Sequence, residues 1–169
     1  EVRVVLAARG GYGASRVVGD IDWSRLREHP KWIVGFSDVT ALHAEAAAVG
    51  VASLHASHVT ALGRADLPLH RSLFAALEAP SASRRHDGLV TLRAGIARGP
   101  AFGGNLTVLH ACAAAGRLVV PSGAIVLLED VTERPYRIDR SLSTLLAGGH
   151  FEGAAGFVLG DFTACDPGP

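Results

Sequence analysis

The sequence predicts an α/β protein built on a parallel sheet, and three features carry this prediction. Short apolar runs rich in β-branched residues recur along the chain, as expected of strands buried on both faces. Longer segments with helical character, several rich in alanine or leucine, separate these runs. Glycines follow several of the apolar runs and mark the turns. Alternation of strands and helices is typical of parallel sheets covered by helices.

The elements follow one another in a regular order. Strands are predicted at 3–8, 31–36, 51–55, 89–93, 95–99, 124–128 and 155–160. Helices are predicted at 38–49, 67–77, 106–115 and 140–146, with a helix or turn region between the glycines at 10–13 and residue 28. The polar, turn-forming segment 79–88 reads as a linker between an α/β domain (1–78) and a second domain (89–169).

Composition narrows the class of protein. With 169 residues, 49% of them hydrophobic, the chain can bury a real core in one or two domains. Lysine plus arginine equals aspartate plus glutamate at 16 each, so nucleic-acid binding is not predicted. The sequence has no apolar run long enough to predict a membrane span. Cys112 and Cys165 lie far apart, as expected of unpaired thiols in a reducing cytoplasm.

The chain has the features of a fragment. It contains no methionine, it opens on an apolar run that reads as a strand in progress, and it closes on a turn. We therefore expect both ends of the protein to be missing, including the N-terminal part of the first domain. Because a signal peptide could precede the first residue, its absence from these residues decides little.

Ser37 lies where an apolar strand turns into a helix, in Gly35-Phe36-Ser37-Asp38. A serine at such a bend can project its hydroxyl from the carboxyl edge of the sheet, beside the free N–H groups of the next helix. The usual elbow is G-x-S-x-G, and Val39 replaces its second glycine. The other interpretation is a helix N-cap formed by Ser37 or Asp38. The turn alone leaves both open.

Two further segments also have two interpretations each. The glycines of residues 9–13 follow a strand and could form an anion or oxyanion cradle, or a plain turn. Their spacing fits neither common phosphate-binding motif. Glu129 and Asp130 end an apolar strand, where acids can be ordinary surface residues. An acid that orients a catalytic histidine would occupy the same place.

Taken in order, these pieces resemble the LD-carboxypeptidase family of serine peptidases. The matching stretches are Arg-Gly-Gly-Tyr-Gly at 9–13, Gly-Phe-Ser-Asp-Val-Thr-Ala-Leu at 35–42, Gly-Gly-Asn-Leu at 103–106, Leu-Glu-Asp at 128–130 running into Pro-Tyr-Arg-Ile-Asp-Arg at 135–140, and Leu-Gly-Asp-Phe-Thr-Ala-Cys at 159–165. Together they span nearly the whole chain.

The resemblance implies a flavodoxin-like parallel-sheet domain followed by a smaller β-rich α+β domain. It implies Ser37 as nucleophile and Glu129 as the acid of a Ser–Glu–His triad. The implied oxyanion donors are the backbone N–H groups of Asp38 and Gly11. The expected substrate pocket contains residues of the matched motifs, namely Arg9, Tyr12 and Asn105. No metal or organic cofactor is implied.

The implied reaction removes the terminal D-alanine from a murein tetrapeptide during cell-wall recycling in the cytoplasm. The expected partner is a small peptide or muropeptide, and a homodimer is possible because family members often form one. Two other functions stay open. One is a microcin-type self-immunity peptidase, and the other is a non-catalytic α/β module that holds a nucleotide or anion at the glycine loop.

The chain departs from the family pattern in two places. The family's catalytic histidine lies near the C-terminus, and none of the eight histidines here sits in a matching motif. The fragment by itself is therefore expected to be inactive or nearly so. Relatives usually read His-Gly-Pro followed by an apolar residue where this chain has His55-Ala56-Ser57-His58. That segment borders the expected pocket, so it bears on substrate preference.

Overall fold

Six strands form two parallel three-stranded sheets in a computed structural model that describes residues 2–63 and 67–168. The strands are β1 (Val4–Leu6), β2 (Trp32–Gly35), β3 (Leu54–His55), β4 (Ala101–Asn105), β5 (Ile125–Val131) and β6 (Gly156–Thr163). The helices are α1 (Ala14–Val17), α2 (Trp23–Glu28), α3 (Thr40–Ala48), α4 (Val59–Leu62), α5 (Leu67–Glu78), α6 (Leu106–Ala114) and α7 (Pro135–Ala147). Short 3₁₀ turns cover Val18–Asp20 and Ser37–Val39.

Each sheet keeps its strands in chain order, β1-β2-β3 and β4-β5-β6. Gly35 pairs with His55 in the first sheet, and Asn105 pairs with Glu129 in the second. These residues lie at or near the carboxyl ends of their strands, the edge at which open parallel sheets bind ligands. The predicted α/β fold with parallel sheets is confirmed.

The two sheets share one cluster of buried apolar side chains. Helix α3 packs on α6 and β4, and its buried apolar residues are the small Ala41, Ala44 and Ala46. Leu106 and Leu109 of α6 lie in this cluster and are fully buried. In a core packed this closely, replacing a buried leucine by alanine lowers the free energy of unfolding by about 2–5 kcal/mol. The core therefore holds α3, which follows Ser37, firmly against the second sheet.

An ion pair connects the same elements at the edge of the core. Arg117 Nε donates to Glu45 Oε1 of α3 at 2.5 Å, and its guanidinium also donates to the Val18 carbonyl. The Glu45 side chain is only 12% exposed, so this pair is better shielded from water than a surface pair. It joins α3 to the turn after the glycine loop and to the chain after α6.

Segment 89–99 does not form the two predicted strands. Its apolar side chains are open to solvent, with Ile96 97% and Val90 83% exposed. A strand needs a hydrogen-bonded neighbour, and no strand in the described part of the chain pairs with this segment. The second half consequently has three strands connected by α6 and α7. The boundary at 79–88 stays a prediction.

No helix among residues 2–63 and 67–168 has the length and apolarity that crossing a membrane requires.

Candidate active site

Ser37 occupies a strained turn at the carboxyl end of β2. Its φ is 62°, a left-handed conformation that is uncommon for residues other than glycine. Such strain costs on the order of 1–3 kcal/mol, and it clusters at functional sites. Phe36 is the N-cap of the 3₁₀ turn that follows, and no side chain caps this turn. The interpretation of Ser37 or Asp38 as the N-cap of its own helix is therefore wrong.

The elbow depends on Gly35 and tolerates Val39. A methyl group placed on Gly35 would lie 2.8 Å from Val39 Cγ2 and 3.0 Å from Ala7 Cβ, so no side chain fits there. Val39 is buried and fills the space that Gly35 leaves. This contact explains how the chain forms a tight strand-to-helix turn with valine in place of the second glycine of G-x-S-x-G.

The glycine loop contacts the elbow through Gly10. A methyl group placed on Gly10 would lie 3.0 Å from Ser37 Cβ and 3.1 Å from Ser37 Oγ. At Gly11 a methyl group would meet nothing within 4 Å. Asp38 joins the two segments because its Oδ2 accepts a hydrogen bond of 2.9 Å from the Ala14 N–H at the start of α1. The loop is thus held over the serine, with Gly10 at the point of contact.

Glu129 lies near the carboxyl end of β5 with its side chain 20% exposed. Its Oε1 is buried without a hydrogen-bond partner among the described residues. Burial raises the pKa of the Glu129 carboxyl above its ordinary value, and the neighbouring Asp130 charge adds to the rise. The Asn105 amide acts in the opposite direction. Oε1 of this carboxyl therefore lacks a hydrogen-bond donor among the described residues.

His55 connects the elbow side of the site to Glu129. Its Nε2 lies 3.6 Å from Glu129 Oε1, and its ring meets the Phe36 ring edge-on at a centroid distance of 6.3 Å. Burial lowers the pKa of His55 to about 4, and the nearby His43 contributes to the shift. His55 is consequently a neutral imidazole near pH 7, beside the Glu129 carboxyl.

His43 supports this arrangement from inside α3. Its ring nitrogens lie 2.8 Å from Ser53 Oγ and 3.0 Å from the Gly35 carbonyl. The carbonyl can only accept, so Nε2 of His43 carries the proton and Nδ1 accepts from the Ser53 hydroxyl. Burial lowers the pKa of His43, with the Gly35 carbonyl acting in the opposite direction. His43 therefore hydrogen-bonds to the last residue of β2, the strand that leads into Ser37.

Asp130 and Asn105 organise the end of the second sheet. The buried Asp130 carboxylate accepts from Asn105 Nδ2 and from the Thr107 N–H and hydroxyl, at 2.8–3.0 Å. Asn105 Oδ1 accepts from the Val108 N–H and so caps α6. The Asn105 N–H donates to Thr40 Oγ1 at 3.1 Å, which ties β4 to the start of α3.

Glycines 103 and 104 allow this close approach. A methyl group on Gly103 would lie 1.9 Å from the Leu127 carbonyl oxygen, and one on Gly104 would lie 2.6 Å from Thr40 Oγ1. Both glycines have φ near +140°. The Gly-Gly-Asn-Leu motif is therefore explained by packing at the end of β4.

The structure brings some of the expected site residues together and leaves others apart. Phe36 and Glu129 both contact His55, and the Ser37–Val39 turn packs against β4, whose last residue is Asn105. Tyr12 is 83% exposed and its hydroxyl accepts from Arg16, which also stacks on its ring. Arg9 is exposed as well. The pocket roles of Arg9, Tyr12 and Asn105, and the oxyanion role of Gly11, stay predictions.

Sequence reasoning missed the parts of this site that are set by contacts between distant segments. Gly10 is the glycine that touches Ser37, His55 is the neighbour of Glu129, and Thr40 is the link to β4. Thr40 lies in the matched stretch 35–42, and His55 begins the segment 55–58 that departs from the family pattern. No local pattern distinguishes Gly10 from Gly11.

A serine on a strained strand-to-helix turn, at the carboxyl edge of a parallel sheet, defines an α/β protein with a nucleophile-elbow geometry. Residues 1–56 match the family model described as the LD-carboxypeptidase N-terminal domain, and residues 98–169 match the LD-carboxypeptidase C-terminal domain. The chain belongs to the LD-carboxypeptidase family.

Individual relatives agree with this placement. A murein tetrapeptide carboxypeptidase of Pseudomonas aeruginosa is 34% identical over 98% of this chain and 57% of its own length. A sequence from Streptomyces coelicolor is 40% identical over 98% of this chain and 55% of its own length. The chain thus spans about half the length of the curated relatives it matches.

Solved structures share the fold. The crystal structure of a muramoyltetrapeptide carboxypeptidase from Oxalobacter formigenes superposes with a TM-score of 0.85 at 30% identity, over 96% of this chain and 57% of that one. An MccF-like protein from Bacillus anthracis superposes with a TM-score of 0.80 at 21% identity, over 95% and 57% of the two chains. At that identity the second likeness shows the fold alone.

Proposed function

We propose that the full-length protein is a serine LD-carboxypeptidase that hydrolyses the bond to the terminal D-alanine of murein tetrapeptides, in cytoplasmic cell-wall recycling. The observation that carries the proposal is the conformation of Ser37. It sits at φ 62° between a buried strand and a helix, and its hydroxyl caps no helix. A structural serine has no need of this strain, whereas a nucleophile gains an accessible hydroxyl from it.

The chemistry follows from the surroundings of that hydroxyl. Ser37 Oγ attacks the scissile carbonyl, the C–N bond breaks, and the D-alanine amine leaves with a proton from the catalytic base. Water then hydrolyses the acyl-enzyme. The backbone N–H groups of Asp38 and Gly11 are the oxyanion donors in this scheme. One such donor is worth roughly 3–4 kcal/mol in the transition state.

Glu129 is proposed as the acid that orients the base. Its buried Oε1 lacks a hydrogen-bond partner among the described residues, and a buried carboxylate oxygen without one is costly. An imidazole N–H would satisfy it. In this proposal the imidazole comes from the part of the protein outside these 169 residues, as the family resemblance implies. Without it the Ser37 hydroxyl is a weak nucleophile, so the 169 residues alone are expected to have little activity.

The named relatives favour a murein peptide over the two alternatives. The Pseudomonas and Oxalobacter proteins carry names of murein or muramoyl tetrapeptide carboxypeptidases, at 34% and 30% identity. The likeness to the MccF structures lies at 17–21% identity and supports the fold only. A non-catalytic ligand-binding module would leave the strain at Ser37 without a purpose.

Substitution of the serine tests the proposal. In the full-length protein, Ser37→Ala is expected to abolish D-alanine release from an L,D-linked murein tetrapeptide and to prevent labelling by a serine-directed phosphonate. Ser143→Ala, on the exposed side of α7, is the matched control and should leave both unchanged. Thermal unfolding of both variants checks that the fold is retained.

Two results would contradict the proposal. Retained D-alanine release in the Ser37→Ala variant would remove Ser37 from the chemistry. Absent labelling of the unsubstituted protein, together with tight binding of a nucleotide or anion at the glycine loop, would favour the binding module.

A further inference from the structure

His58 is held in a fixed place beside the elbow by the backbone around it. The Val59 and Thr60 N–H groups donate to the Ala7 and Ala8 carbonyls at 3.0 Å, just after β1. The His58 ring stacks on the Phe36 ring at a centroid distance of 4.3 Å and an interplanar angle of 13°. The backbone is therefore held by the residues that lead into the glycine loop, and the ring by the residue before Ser37.

The ring nitrogens of His58 face two different neighbours. Nδ1 lies 3.0 Å from the Thr60 hydroxyl oxygen. Nε2 is the His58 atom nearest to the space above Gly10, 3.6 Å from the position of a methyl group there. Ser37 Oγ lies 3.1 Å from that same position. When the Thr60 hydroxyl donates to Nδ1, Nε2 carries the proton and presents it toward the space over the serine.

A carboxypeptidase substrate brings a negative charge to this space. The leaving amino acid carries its carboxylate three bonds from the carbonyl carbon that the serine attacks, within about 4 Å of it. This carboxylate loses water on binding and needs hydrogen-bond donors in return. His58 Nε2 and Ser37 Oγ lie 3.6 Å and 3.1 Å from the same point beside Gly10, so an Nε2–H donor can serve a carboxylate bound there.

We propose that His58 is a specificity-determining residue whose Nε2–H donates a hydrogen bond to the C-terminal carboxylate of the peptide. This inference rests on the proposed peptidase function and adds the recognition of a free chain end to it. His58 is here a binding group for the leaving residue and has no part in activating Ser37. A site built to bond a charged group discriminates against substrates that lack it.

Paired substrates test this role in the full-length protein. The first is a murein tetrapeptide with a free C-terminal carboxylate, and the second is the same peptide with a C-terminal carboxamide. The variants are His58→Leu, which removes the donor, and His58→Gln, which keeps an N–H donor of similar reach. His29→Leu, at an exposed position before β2, is the matched control.

For the free peptide, His58→Leu should lower kcat/KM by about 10- to 100-fold, mostly by raising KM. A loss of this size is expected when one hydrogen bond to a charged group is removed. The carboxamide peptide should change by less than about threefold. His58→Gln should recover part of the loss for the free peptide. The control should react with both peptides as the unsubstituted protein does.

Three outcomes would overturn the inference. Equal losses in kcat for both peptides would mean that His58 acts on Ser37 as a base. Unchanged kinetics in His58→Leu would mean that it does not meet the substrate. If His58→Leu still prefers the free peptide over the carboxamide and Arg9→Gln does not, then Arg9 binds the carboxylate instead of His58.

Labelling separates this inference from the proposed function. Ser37 of both His58 variants should still react with the serine-directed phosphonate, because the elbow does not require the imidazole. If Ser37 of the unsubstituted protein fails to react, the peptidase function and this inference fall together. If Ser37 reacts but His58→Leu changes kcat/KM equally for the two peptides, only the His58 inference fails.

Discussion

Burial of His55 should make the free energy of unfolding depend on pH between about 4 and 6.5. Its side chain is 24% exposed, and its pKa falls from the ordinary 6.5 to about 4 in the folded protein. In that range the unfolded chain binds a proton at His55 and the folded protein does not. Stability is therefore fully present above pH 6.5 and is lost as the pH falls towards 4.

The size of this effect follows from the shift. One pKa unit corresponds to about 1.4 kcal/mol, so the shift from 6.5 to about 4 corresponds to roughly 3 kcal/mol at most. His43 adds to the same trend because burial lowers its pKa too. Glu129 opposes it, because its raised pKa makes the folded protein bind a proton more readily as the pH falls.

Urea unfolding of the full-length protein at several pH values measures this dependence. His55→Gln should flatten the curve by up to about 3 kcal/mol between pH 6.5 and 4, while keeping a polar side chain beside Glu129. His29→Gln, at an exposed position, should leave the curve as it is. Identical curves for His55→Gln and the unsubstituted protein would refute the burial argument.

Two further predictions concern the glycines at the site, with Gly95→Ala as the shared control because it lies outside the site and its methyl group meets nothing within 4 Å. Gly10→Ala should lower kcat/KM by about 10- to 100-fold with little loss of stability, since the methyl group displaces Ser37 Oγ. Equal activity of the Gly10 and Gly95 variants would contradict this. Gly104→Ala should lower the free energy of unfolding by roughly 2–4 kcal/mol, because its methyl group overlaps the buried Thr40 hydroxyl at a positive φ. Denaturant unfolding measures this loss, and a change below about 0.5 kcal/mol would rule out the overlap.

Local patterns were sufficient for most of the fold. The strand at 31–36, the helix at 106–115 and the strand at 155–160 were predicted within a few residues of β2, α6 and β6. Such elements depend on apolar periodicity and on glycine turns, which neighbouring residues specify. The strands predicted at 89–99 failed because β structure also needs a partner strand, which no local pattern guarantees.

The sequence by itself determined the order of the motifs and the position of Ser37 at the end of a strand, because both are local properties of the chain. It could not decide between a helix cap and a nucleophile elbow. Tertiary structure excluded the helix cap, because no side chain caps the turn at Ser37 and the Asp38 carboxylate accepts a hydrogen bond from the Ala14 N–H of another helix. It also placed Gly10 on the serine and His55 beside Glu129. These contacts join segments tens of residues apart, and only packing of the two sheets and their helices fixes such distances.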